Sequence, residues 1–329
     1  MIPLEAQAPA GAPDAGGPAP RRVFLGWEQP WARSIAGWLA AEPERLRRRL
    51  VVVPTREAGR RLRETLLAVL GGGGPAAMLG PRLAMPEDFF RPSEQLPESI
   101  RWAGWLQVLE ETDDADVATV FPGGIGVRDR EWRLAVGRQI EEARDQLGSG
   151  GWSFSALAEQ VPEEAPRWRE LAALAERVTA LWREWGFADV VAERWRLAAD
   201  PVLPPGVDEI VVAGVPDPAP LGVLSWQALR QRGVPFTVLI GAPRDLRAAF
   251  DPWGRPVADH WTERARHRRP DAFRLAVAAD AAALAGEVVR SCEGKSNLAV
   301  AVAVGDAHFT PVIVRAFRAA GWQIGRAHV

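Results

Sequence analysis

Residues 49–66 read RLVVVPTREAGRRLRETL, an apolar run that ends in Pro-Thr and passes at once into an Arg-rich segment. Residues 49–55 are rich in valine and predict a short buried strand. After this strand, four apolar residues recur at helical spacing: Ala58, Leu62, Leu66 and Leu70. That spacing predicts an amphipathic helix, and a buried strand followed directly by a helix is typical of a parallel α/β sheet.

A similar strand–turn–helix pattern comes earlier, in residues 23–35 (VFLGWEQPWARSI). In ATP-hydrolysing domains this turn is Gly-rich and ends in Gly-Lys-Ser/Thr, so that backbone N–H groups and the Lys hold the phosphates and the hydroxyl holds magnesium. Here Gly26 is the one glycine, Trp27 and Trp31 are the bulky neighbours, and the single lysine of the chain is Lys295. These residues predict no phosphate cradle. The two indoles either plug the pocket that ATP would fill or pack on the surface.

The run from residue 50 to residue 66 resembles the second conserved motif of UvrD-like helicases. In that family the strand ends in a Thr, and the helix carries Ala and Arg where this sequence has Ala58 and Arg60. The Pro-Thr-Arg sequence at residues 54–56 is closer still to the AddB-type subunits of AddAB helicase–nucleases, which belong with PD-(D/E)XK nuclease family proteins. The first motor domain of those subunits has lost its ATPase residues.

The helicase family contacts single-stranded DNA with this motif, so the resemblance implies a nucleic-acid-binding role for Thr55, Arg56, Arg60 and Arg63. A Thr hydroxyl and free N–H groups at a helix N-terminus suit a phosphate, and arginine adds charge-assisted contacts. Pro54 replaces the family's aromatic residue, so base stacking is not expected there. The alternative is that Thr55 is a plain N-cap in front of a solvated Arg face.

Two later apolar runs resemble further strands of the same family but lack its catalytic residues. Residues 209–214 (EIVVAG) have Ala213 and Gly214 where the family has its Asp-Glu magnesium pair, and only Asp217 matches a later acid. In residues 236–245 (FTVLIGAPRD), Gly241 is followed by Ala242 where the family has its Asp, and the family's Gln is missing. We therefore expect no catalytic residue, no ATPase or nuclease activity, and no cofactor or metal within this sequence.

The composition is that of an ordinary globular chain. The 329 residues are 47% hydrophobic and 25% charged, with a net charge of −2, so any DNA contact must come from a local groove. A single cysteine, Cys292, excludes a disulfide within the chain and a Cys-based metal cluster.

No run reaches membrane-spanning length, and the expected compartment is the cytoplasm. Most of the 15 Trp residues lie at helical core spacing, which favours packing over base stacking, and the acidic pairs 113–114 and 141–142 are interpreted as surface charge.

The order of patterns predicts an α/β fold with several parts. A disordered leader covers residues 1–20, and a RecA-like parallel-sheet domain covers 21–94 and 201–245, with strands at 23–25, 51–53, 210–212 and 237–240 side by side. An all-helical lobe, residues 95–200, is inserted into this domain. A connector follows at 246–270, and 271–329 predict the start of a second RecA-like domain, with strands at 273–277, 298–304 and from 322, and helices at 281–291 and 309–320.

The last residues, IGRAHV, back-translate to a sequence like a common sequencing adapter, so we expect the second domain to be truncated and any metal-dependent nuclease domain to lie beyond it. By resemblance, the protein is a non-catalytic helicase-like scaffold of a bacterial double-strand-break repair helicase–nuclease, with DNA and a motor helicase–nuclease subunit as partners and no membrane. One rival is an α/β enzyme that binds a small molecule or nucleotide sugar, with Asp217, Asp245 and Asp251 as candidate acids. The other rival is a pure protein-interaction scaffold.

Overall fold

The computed structural model describes residues 19–71, 80–124, 129–265, 275–293 and 302–324. The chain divides into two compact units, Met1–His260 and Trp261–Val329. Residues 1–18 of the predicted leader lie outside the described residues.

The first unit is built on a five-stranded parallel sheet in the order β1-β5-β4-β2-β3. The strands are β1 (Arg21–Phe24), β2 (Arg49–Val52), β3 (Arg82–Ala84), β4 (Glu209–Ala213) and β5 (Phe236–Ile240). All residues of β2, β4 and β5 are buried, as expected for a parallel sheet that is covered on both faces. The prediction that four of these strands are neighbours in one parallel sheet is confirmed, and β3 adds a fifth strand at the edge beside β2.

Helices α1 (Trp31–Ala40) and α2 (Arg56–Val69) pack against each other on one face of the sheet. Their buried residues and alternate strand residues form one core cluster: Ile35, Leu39, Leu62, Leu66, Val51, Val211 and Leu239. Gly59 allows α2 to lie close to the sheet, because a Cβ there would be 3.0 Å from the Leu83 side chain.

Residues 95–200 are helical between β3 and β4. The helices are α3 (Glu98–Glu110), α4 (Arg130–Ser149), α5 (Phe154–Gln160), α6 (Ala165–Glu184) and α7 (Val190–Ala199), and no strand occurs in the described part of this interval. These helices have a core cluster of their own, with large buried residues such as Trp105, Leu109, Val178 and Trp182. The predicted helical character of the interval is therefore confirmed.

The opposite face of the sheet is covered by α8 (Pro220–Gln231) and by the chain after β5. Trp226 of α8 packs on Trp253, and Trp253 meets Phe236 edge-on. The connector predicted for residues 246–270 therefore begins inside the first unit, with Leu246, Ala249 and Trp253 all buried. The segment was predicted to be a polar connector because it is rich in arginine, although it also contains these three apolar residues. Helix α9 (Ala258–Ala265) follows.

In the second unit, α10 (Ala281–Cys292) and α11 (Thr310–Ala319) form a helix pair around a small core: Ala285, Val289, Cys292, Ile313 and Phe317. The two predicted helices are confirmed, and Cys292 is buried in this core as a small apolar side chain. Residues 275–277, 302–304 and 322–324 were predicted as strands and are not, whereas 273–274 and 298–301 lie outside the described residues. A parallel strand needs a neighbour for its backbone hydrogen bonds, and the described part of this unit contains none.

Candidate nucleic-acid interface

The turns after β1, β4 and β5 lie together at the carboxyl edge of the sheet. In open parallel sheets, ligands bind outside this edge where neighbouring strands connect to opposite faces. Here β1 connects to α1 on one face, whereas its neighbour β5 leads into the chain that covers the opposite face. This crevice is therefore where a nucleotide would be expected.

The indole of Trp31, the first residue of α1, lies in the crevice against the turn after β4. A Cβ on Gly214 would be 1.8 Å from Trp31 Nε1, so only glycine leaves room for the ring. Gly214 also has a φ of +61°, in the left-handed region that favours glycine. On the β5 side, a Cβ on Gly241 would be 3.8 Å from Trp31 Cδ1, which is ordinary contact. Of the two interpretations of Trp31, the plug is the one that these contacts support.

Trp27 and Glu28 complete this surface. Trp27 Nε1 donates a hydrogen bond to the carbonyl oxygen of Gly241 at 2.8 Å, while 60% of the Trp27 side chain stays exposed. Glu28 places a carboxylate oxygen 2.0 Å from where a Cβ on Gly26 would lie. A phosphate at the Gly26 turn would therefore meet a negative charge as well as an occupied crevice.

The candidate acids near the ends of β4 and β5 lie in different surroundings. Ala213 and Ala242 are buried, whereas Asp217 is exposed in the loop after β4 and Asp245 is exposed in a short 3-10 helix after β5. Asp251, the third acid of the small-molecule hypothesis, accepts hydrogen bonds from the backbone N–H groups of Trp253 and Arg255 and pairs with the Arg255 guanidinium at 2.6 Å. Asp251 therefore stabilises a turn.

Thr55 is the N-cap of α2. Its Oγ1 accepts a hydrogen bond from the Ala58 N–H at 3.1 Å, and its carbonyl oxygen accepts one from the Gly59 N–H. The N-cap interpretation is therefore right for this side chain. The hydroxyl hydrogen can still be donated to a ligand, because a Thr hydroxyl is a donor as well as an acceptor.

Arg56, Arg60 and Arg63 lie on one face of α2, since they are spaced by four and three residues. We call these three residues the α2 arginine face. Arg60 is ion-paired with Glu57 at 2.5 Å and Glu64 at 3.3 Å, and the hydrogen bond from Arg60 to Glu57 raises the Arg60 pKa. Arg56 and Arg63 are exposed and have no carboxylate partner among the described residues. Two of the three positive charges on the α2 arginine face therefore have no carboxylate partner in the described part of the chain.

A cavity of about 450 Å³ beside edge strand β3 was missed by sequence reasoning. Its lining includes Arg63 of the α2 arginine face, Arg82 at the start of β3, and the buried ring of Phe89. Nothing in the sequence indicates that the two arginines share a cavity, because their proximity depends on β3 pairing with β2 at the edge of the sheet.

One acidic pair was interpreted wrongly. Glu141 is buried in the helical block, where its carboxylate accepts a hydrogen bond from Trp105 Nε1 at 3.0 Å and contacts Arg144. Burial raises the pKa of Glu141 above its usual range, although Arg144 opposes that shift. Glu142 and the pair 113–114 are exposed, as predicted.

No protein-family model matches this chain, and no curated protein is significantly similar to it. None of the described helices is long and apolar enough to cross a bilayer. The resemblance to AddB-type subunits therefore rests on the motif residues and on the order of the secondary-structure elements.

Proposed function

We propose that this chain is a non-catalytic, helicase-like DNA-binding scaffold. In this proposal the sheet and its flanking helices are a RecA-like domain that has lost ATP hydrolysis, residues 95–200 are its inserted lobe, and residues 271–329 begin a second such domain. The observation that carries the proposal is the Trp31 indole, which occupies the nucleotide crevice of an otherwise intact parallel sheet.

The proposed DNA contact is the N-terminal half of α2. Arg56 and Arg63 offer uncompensated guanidinium groups, and Thr55 has a hydroxyl hydrogen and lies at a helix N-terminus, which favours an anion. Phosphate contacts of this kind bind without reading sequence. With a net charge of −2, the whole chain has no general attraction for DNA, so the binding would be weak and local.

By resemblance to AddB-type subunits, the biological setting would be double-strand-break repair together with a motor helicase–nuclease subunit. A pure interaction scaffold is the second candidate, and one observation favours it. Leu67 follows the α2 arginine face by one further turn and is 63% exposed, while Arg60 is neutralised by Glu57 and Glu64. A protein surface could cover such a mixed face. The small-molecule enzyme has less support, because Trp31 fills the crevice that it would need.

The test is fluorescence anisotropy with a labelled single-stranded oligonucleotide and two triple variants of the whole chain. The first variant replaces all three residues of the α2 arginine face with alanine. The matched control replaces three exposed arginines of α6 with alanine and therefore removes the same charge: Arg167, Arg169 and Arg183. ATP hydrolysis is measured in parallel, with and without the oligonucleotide.

We expect the wild-type chain and the control to bind equally, the α2 variant to lose most of its affinity, and all three to lack ATPase activity. Equal binding by both variants would favour the interaction scaffold. DNA-stimulated ATP hydrolysis that is absent in a Gly26→Ala variant would overturn the proposal.

A further inference from the structure

The cavity beside β3 brings together two arginines from different elements. Arg63 belongs to α2 and Arg82 to the edge strand β3. Leu50 and Phe89 form an apolar wall of the cavity. The remaining charged group of the lining is Asp88, whose carboxylate accepts the Met85 N–H at 2.7 Å and pairs with Arg91 at 3.0 Å. The acid in this lining therefore already has partners of its own.

The electrostatics of the cavity favour an anion. Neither Arg63 nor Arg82 has a carboxylate partner within the part of the chain that the structure describes. Arg63 and Arg82 contribute two positive charges to this lining, and a bound anion would offer each guanidinium a charge-assisted contact. Arginine presents paired N–H donors in a planar fork, a geometry that matches phosphate oxygens.

We propose that this cavity binds a phosphate ester through Arg63 and Arg82. A volume of about 450 Å³ is within the range of small-molecule pockets and exceeds what a bare ion fills. The ester is either a backbone phosphate of single-stranded DNA or a free nucleotide. In the first case the inference rests on the proposed function, since Arg63 also belongs to the α2 arginine face and the strand would continue from α2 to the edge of the sheet.

The discriminating variant is Arg82→Ala, because Arg82 lies outside the α2 arginine face. Its matched control is Arg167→Ala, which removes an exposed arginine of α6 that does not belong to the cavity lining. Binding of thymidine monophosphate is measured by calorimetry, and binding of a thymidine oligonucleotide by anisotropy. Circular dichroism of each variant verifies that the fold is retained.

We expect Arg82→Ala to weaken the binding of one of the two ligands by about tenfold or more, as the loss of a hydrogen bond to a charged group implies, while Arg167→Ala matches wild type. An effect on the oligonucleotide alone identifies the DNA backbone as the source of the phosphate, and an effect on the mononucleotide identifies a free ester. If Arg82→Ala binds both ligands as well as Arg167→Ala does, the cavity proposal is wrong. In that case the proposed function still stands if the α2 triple variant loses oligonucleotide binding.

Discussion

Replacing Gly214 with alanine tests whether the Trp31 indole fills the nucleotide crevice. Two costs are expected. An alanine at a φ of +61° is in the left-handed region, which costs about 1–2 kcal/mol for a residue with a Cβ. The new Cβ would also lie 1.8 Å from Trp31 Nε1, so the ring must move, and such overpacking costs about 1–3 kcal/mol. Gly214→Ala should therefore lower the free energy of unfolding by about 2–5 kcal/mol.

The assay is urea unfolding followed by circular dichroism, with an unchanged m-value as the condition for comparing variants. In a Trp31→Ala background only the backbone cost remains, so Gly214→Ala should cost about 1–2 kcal/mol there. Gly241→Ala is the matched control, because its Cβ would lie in ordinary contact at 3.8 Å from the indole, and it should have little effect. If Gly214→Ala costs the same with and without the indole, Trp31 does not lie against this turn.

Three further results are expected from the packing of the first unit. Glu209→Gln should destabilise the fold by about 3–5 kcal/mol, because it removes a carboxylate that pairs with the buried Arg49 at 2.9 Å. Urea unfolding measures this loss, and a cost below about 1 kcal/mol would mean that the ion pair with Glu42 alone satisfies Arg49. Thr55→Ala should cost about 1 kcal/mol through the lost N-cap, whereas Thr55→Ser should retain most of the stability in the same assay. Burial raises the pKa of Glu141 in the folded state, so its contribution to stability is fully present below its unfolded pKa and is lost as the pH rises through the folded pKa. Wild type should accordingly lose stability relative to Glu141→Gln as the pH rises above about 4.5, and a pH-independent difference would contradict the assigned cause.

The strands of the first unit and the long helices could be predicted because their signals are local. Valine-rich runs such as residues 50–53 and 210–212 are typical of parallel strands buried on both faces, and apolar spacing of three and four marks the helices of residues 95–200. That the residues after these strands replace helicase catalytic residues stays a prediction, because it depends on the resemblance alone.

The details of the candidate site depend on strand order, which local patterns do not determine. The contact of Trp31 with Gly214 requires β4 to lie near β1 in the sheet, with only β5 between them. The cavity of Arg63 and Arg82 requires β3 to be the edge strand. Likewise, nothing in the pair 141–142 indicates which of the two glutamates turns toward Trp105.

The salt dependence of oligonucleotide binding tests the proposed α2 contact most directly. Each phosphate neutralised on a single strand contributes about −0.7 to the slope of log affinity against log salt. The two uncompensated charges of Arg56 and Arg63 therefore predict a slope of about −1.4 for the wild-type chain. The triple alanine variant of the α2 arginine face should bind too weakly to define a slope. Binding that is indifferent to salt, or equal slopes for the two proteins, would show that α2 does not contact DNA.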